Sequence, residues 1–182
     1  MTTANSYRLP NTVTPTKYDI TLTPDFSDFT FLGHQDVEVI INAPTDRISL
    51  NAIELELFTA SVITIAGVET KAKIETNEEA ETATFIFPES IPQGRATLSI
   101  DFKGFLNDQL RGFYRSKYTG HDGQDHYLAT TQFEATDARR AFPCWDEPAL
   151  KAIFVIRLII PEHLVAISNM PIQSESRDID GR

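Results

Sequence analysis

The sequence predicts an all-β domain, an antiparallel sandwich or barrel, on three observations. Apolar residues alternate with polar ones at period two in at least four segments. Turn-forming residues recur at short intervals between those segments. Long stretches with a 3.6-residue apolar period are missing.

Taken in order, the first strand is Lys17–Thr23, with Tyr18, Ile20 and Leu22 on one face. Val37, Val39 and Ile41 repeat the pattern, as do Ile48, Leu50 and Ala52. Ala96, Leu98, Ile100 and Phe102 make the fourth clear case. The opposite face is largely polar in each, as in a half-buried strand. The segment Ala152–Ile160 is apolar on both faces apart from Arg157, which predicts a central strand covered on both sides. Turns are expected at Pro24-Asp25, Ala43–Asp46, Ala66-Gly67, Asn77–Glu79, Pro92–Gly94 and Asp122-Gly123. At most one short helical turn is expected, near residues 136–141, and Pro143 stops it. With no repeat, low-complexity tract or break in composition, residues 1–182 read as a single domain.

The composition narrows the function. With 41% hydrophobic and 23% charged residues the chain is globular rather than disordered. No apolar run reaches the roughly 20 residues that span a bilayer. The polar start, Met1 to Tyr7, lacks the basic flank and apolar stretch of a secretory signal. A net charge of −10 repels phosphate backbones and argues against a nucleic-acid partner. The one cysteine, Cys144, allows neither an intrachain disulfide nor a cysteine-rich zinc site. Together these features lead to an expectation of a cytoplasmic, reducing location.

One stretch is too unusual for a plain surface loop. Thr130-Thr-Gln-Phe-Glu-Ala-Thr-Asp-Ala-Arg-Arg-Ala-Phe-Pro-Cys-Trp-Asp-Glu-Pro148 is polar and acidic, yet dense in large aromatics and proline. It resembles the amino-terminal domain of the gluzincin zinc aminopeptidases, the group that holds aminopeptidase N, puromycin-sensitive aminopeptidase and the tricorn-interacting factors. Three further segments resemble that family, in the family's order. They are Arg8–Asn11 with Pro15–Asp19, Leu110–Ser116 and Ile167–Pro171. The resemblance implies a saddle-like antiparallel β-sandwich of two packed sheets, cut before its last strands. The chain would stop at Asp180-Gly-Arg182 inside a hairpin and leave an exposed sheet edge near the carboxy terminus.

Gln132 and Glu134 are the candidate site residues. Two apart on a strand, their side chains share a face, and Phe133 points the other way. A carboxylate supplies charge to an ammonium, and a carboxamide supplies a carbonyl acceptor. Read from the residues alone, Glu134 is first a cap for the following turn or a partner of Arg139 or Arg140. The resemblance implies that Gln132 and Glu134 anchor the free α-amine of a peptide, beside a glutamate from the catalytic domain. Arg139 and Arg140 are expected to pair with Asp137, Asp146 or Glu147. Phe142, Pro143 and Trp145 are expected to lock the loop onto the sandwich. Cys144 reads as a small buried hydrophobe.

The zinc chemistry implied by the resemblance needs His-Glu-x-x-His on a helix and a later glutamate ligand. His34, His121, His126 and His163 contain no pair at helical i, i+4 spacing. His121 and His126 read as a solvated hairpin tip, and Asp122 and Asp125 miss the spacing of a calcium loop. No metal ligand and no catalytic residue is therefore assigned here. Zinc is expected in a larger parent protein, with the peptide amino terminus and the parent's catalytic domain as partners. The alternative is a stand-alone β-sandwich binding or interaction module, in which Tyr114, Tyr118 and Tyr127 could face sugars, although they are expected first to pack within the hairpin or tip it.

Overall fold

The structure is a computed structural model and describes residues 8–177. The hairpin expected at Asp180-Gly-Arg182 and the start Met1–Tyr7 lie outside the described residues. Four long strands form most of one sheet: β1 (Val13–Asp25), β2 (Thr30–Ile41), β4 (Leu55–Thr64) and β8 (Gly94–Phe105). With β5 (Glu69–Lys71) and β11 (Ile153–Leu158) they run in the order β11-β1-β2-β8-β4-β5. A second sheet holds β3 (Thr45–Asn51), β7 (Thr82–Ile91) and β6 (Lys73–Asn77), in the order β3-β7-β6. A hairpin of β9 (Gly112–Thr119) and β10 (Asp125–Gln132) stands apart. Every pairing is antiparallel except β1 with β11.

The period-two alternation lands as expected. Tyr18, Ile20 and Leu22 of β1, Val37, Val39 and Ile41 of β2, and Ala96, Leu98, Ile100 and Phe102 of β8 are all buried. They join Ile48 and Leu50 of β3 and Ala83, Phe85 and Phe87 of β7 in one hydrophobic cluster between the sheets. Each predicted turn falls at a strand end. At the first, Asp25 accepts the backbone N–H and the hydroxyl of Ser27. The short helical element is a single 3₁₀ turn, Ala138–Arg140.

The segment 152–160 differs from expectation. β11 is an edge strand, hydrogen-bonded to β1 alone among the described residues. Ile153 is 67% exposed and Phe154 51%. Apolar residues on both faces read as a covered strand, but cover needs partner elements on each face, and the described residues supply few. Past β11, Val165, Ile167 and Met170 are also exposed. An exposed sheet edge near the carboxy-terminal end of the described chain is thus present.

On the outer face of the large sheet, His34 bridges two strands. Its Nδ1 lies 2.7 Å from Asp101 Oδ1 on β8 and its Nε2 lies 3.6 Å from Asp36 on β2. Partial burial disfavours the imidazolium, but the Asp101 hydrogen bond and the charges of Asp36 and Asp101 outweigh it and raise the His34 pKa. A raised folded pKa stabilises fully below the unfolded value of about 6.5 and is lost as pH rises through the folded one. The stability advantage of the native chain over a His34→Gln variant is therefore expected to shrink from pH 6 towards pH 8. Urea unfolding at several pH values checks this, and the effect stays under about 1 kcal/mol because the pair is half exposed. A difference that grows with pH would contradict the assignment.

Candidate functional site

The segment after β10 has little regular structure, yet it is heavily anchored. Ala141, Phe142, Cys144 and Trp145 are buried members of the core. Their apolar side chains drive the loop inward, and its backbone polar groups must then find partners. Asn51 and Cys144 exchange two backbone hydrogen bonds, of 2.8 and 3.0 Å. The Trp145 N–H donates to the Tyr18 hydroxyl at 3.2 Å, and the Asp146 N–H to Asn51 Oδ1 at 3.2 Å. The Gln35 amide, fully buried, donates to the Pro143 carbonyl at 2.8 Å. Phe142, Pro143 and Trp145 thus lock the loop as expected. Gln35 and Asn51 carry no motif that marks them in the sequence. The available signal was parity: Gln35 sits on the inward side of the Val37, Val39, Ile41 alternation.

The two arginines split between two tasks. Arg139 donates from Nε to Asp146 and from Nη1 to Glu81, both at 2.9 Å. Arg140 donates from Nε to Asp137 at 2.8 Å, and its Nη1 stands 2.5 Å from Glu54 Oε1. The pairings with Asp146 and Asp137 were expected. Glu147 instead accepts the backbone N–H of Leu9, and Glu54 and Glu81 come from strand ends distant in sequence.

Gln132 is the last residue of β10, and Glu134 lies in the turn that follows rather than on the strand. Both residues are exposed. Phe133, between them, packs edge-to-face on Phe142 at 5.8 Å. Among the described residues no hydrogen bond or ion pair involves either the Gln132 or the Glu134 side chain. The cap and the arginine pairing considered for Glu134 are not formed, because other carboxylates already occupy both guanidiniums. A carboxylate and an amide, neither with a side-chain partner, therefore face solvent on either side of the packed Phe133 ring.

The family description Peptidase M1 N-terminal domain matches residues 14–182. The chain belongs to that family. The M1 N-terminal domain described here is 46% identical over 169 residues to aminopeptidase M1-B of Oryza sativa subsp. japonica, covering 93% of this chain and 19% of that protein. It is 44% identical over 178 residues to the mitochondrial aminopeptidase 2 of Saccharomyces cerevisiae, covering 95% and 18%. Against the puromycin-sensitive aminopeptidase of Caenorhabditis elegans it is 40% identical over 177 residues, covering 96% and 19%. The chain spans about a fifth of the length of these curated relatives.

Other reactive side chains of this M1 N-terminal domain are engaged elsewhere. Cys144 is a free, buried thiol, and burial pushes its pKa well up. His126 pairs with Asp122 at 3.0 Å, and Lys117 with Asp125 at 2.7 Å, within the β9–β10 hairpin. Tyr118 stacks on His126, and Tyr127 meets Phe29 edge-to-face. Among the described residues no group of three or more His, Cys, Asp or Glu side chains is placed to hold a metal ion. These residues do not fit a zinc site. No helix of the described residues is long and apolar enough to cross a membrane.

Proposed function

We propose that this domain belongs to a zinc-dependent aminopeptidase, in which Gln132 and Glu134 hold the α-ammonium of a peptide substrate. The observation that carries the reading is the pair itself: two exposed, unengaged side chains on a segment fastened by Phe133 and the following turn. Glu134 offers charge, and Gln132 offers a carbonyl oxygen. An exopeptidase must tell a chain terminus from an internal peptide, and gripping the ammonium does so while setting the register of the scissile bond. The names of the relatives support the aminopeptidase activity. Zinc and the general base belong to the parent's catalytic domain on this reading, so the domain alone is inactive. The exposed apolar strand β11 supports a docking role towards that catalytic domain. The buried free thiol is compatible with a reducing, cytoplasmic setting, which fractionation of cells making the tagged full-length protein checks.

The test is reconstitution. The domain and the separately expressed remainder are assayed alone and together for chromophore release from an aminoacyl anilide. Activity is expected only from the mixture. Glu134→Gln is expected to lower kcat/KM about tenfold, or about 1.4 kcal/mol. Equal activity with the variant would make Glu134 a structural residue and end the anchor reading.

A further inference from the structure

Two loosely related facts about Arg140 meet at the candidate site. First, its guanidinium is largely buried, with 10% of the side chain exposed, and it holds Asp137 at 2.8 Å. The Asp137 backbone N–H in turn donates to the carbonyl of Phe133 at 2.8 Å. That bond closes the turn carrying Glu134, and Phe133 is the residue between the two candidate side chains. Second, the Cβ of Arg140 packs closely against Gly112. Gly112 has φ +67°, and a Cβ there would stand 2.7 Å from the Arg140 Cβ. Gly112 is also the register partner of Gln132 at the end of the β9–β10 hairpin. Arg140 thus touches what holds each end of the pair: the turn under Glu134 through Asp137, and the strand under Gln132 through Gly112. Glu54, from the connection before β4, ties the same guanidinium to the large sheet. Arg139 instead holds Asp146, on the far arm of the loop, and Glu81, just before β7, which Arg140 also approaches at 3.8 Å.

We infer that Arg140 is a positioning residue for substrate-amine recognition, setting the separation and direction of Gln132 and Glu134 through Asp137 and Gly112. The inference rests on the anchor reading above. The Cβ supplies the Gly112 arm, and the guanidinium supplies the Asp137 and Glu54 arms, where a planar group with several fixed donors suits better than a point charge.

Steady-state kinetics of the full-length protein on an aminoacyl anilide tests it, with variants Arg140→Met, Arg140→Lys, Glu134→Gln and the double variant Arg140→Met with Glu134→Gln. Arg140→Met is expected to lower kcat/KM about tenfold, mainly through KM, and Arg140→Lys to recover part of the loss. In the Glu134→Gln background, Arg140→Met is expected to cost less than about twofold more, because both changes disable one recognition event. Fully additive losses would overturn the inference. So would a silent Arg140→Met beside a Glu134→Gln that keeps its tenfold effect. A silent Glu134→Gln would remove the anchor reading itself, and this inference with it. If Arg140→Met does not fold, Glu54→Gln loosens the same guanidinium from a carboxylate that is 46% exposed. It is then expected to raise KM about threefold in the native background and not in Glu134→Gln, and a rise in both backgrounds would overturn the inference.

Discussion

Replacing Phe142 with alanine is expected to destabilise the domain by about 3–5 kcal/mol, the cost of emptying a buried aromatic site. Its ring meets Tyr18 at 6.0 Å, Phe133 at 5.8 Å and Phe154 at 6.3 Å, each edge-on. These partners come from β1, from the segment holding the candidate site, and from β11. Three other buried loop residues, Ala141, Cys144 and Trp145, and the paired backbone of Asn51 and Cys144 fix the same loop, so the cavity has little freedom to collapse. Urea unfolding of the domain measures the loss as a lower midpoint at unchanged slope. A loss under about 1 kcal/mol would show that the loop can leave the core at little cost, contrary to its anchoring. The same variant is expected to weaken the candidate site, since Phe133 loses its packing partner.

The second large effect is expected at a glycine. In the pairing of β2 with β8, Gly33 faces Phe102, and Phe31 faces Gly104. All four residues lie on the inward face, and each aromatic ring covers the glycine across from it. A Cβ on Gly33 would overlap the Phe102 ring, and one on Gly104 would overlap the Phe31 ring. Both rings are buried and packed edge-to-face on each other at 6.4 Å, so neither moves aside freely. Gly104→Val is expected to cost about 3 kcal/mol through overpacking. Pairing it with Phe31→Leu, which makes room, should give a total loss smaller than the sum of the two single changes. Thermal or urea unfolding of the four proteins checks the coupling. Simple additivity would mean that the ring over Gly104 is not what excludes a side chain.

Much of the sandwich was legible because strand burial is a local code. Tyr18, Ile20 and Leu22, or Leu98, Ile100 and Phe102, declare an inward face by parity alone, and their burial follows. The loop 133–148 was legible as an anchored segment because its aromatics have no other reason to sit among acidic residues. The same code misled at 152–160. Parity there indicates two apolar faces, but whether they are covered depends on which elements lie alongside. The Glu134 position was read as strand, and the strand ends at Gln132.

What the sequence by itself determined, then, is the set of alternating strands, the turns between them and the Phe142–Trp145 anchor. Tertiary structure alone decided which carboxylates the arginines hold. Glu54 and Glu81 reach Arg139 and Arg140 across more than 50 residues of chain, and no local spacing encodes that. It also decided that Glu134 is left unengaged, that Gln35 reaches the Pro143 carbonyl inside the core, and that glycines 33 and 104 make room for rings on a neighbouring strand. The physical reason is the same in each case. Alternation and turn chemistry act between residues close in sequence, whereas charge pairing and shape fit are settled only when strands from distant parts of the chain take their register.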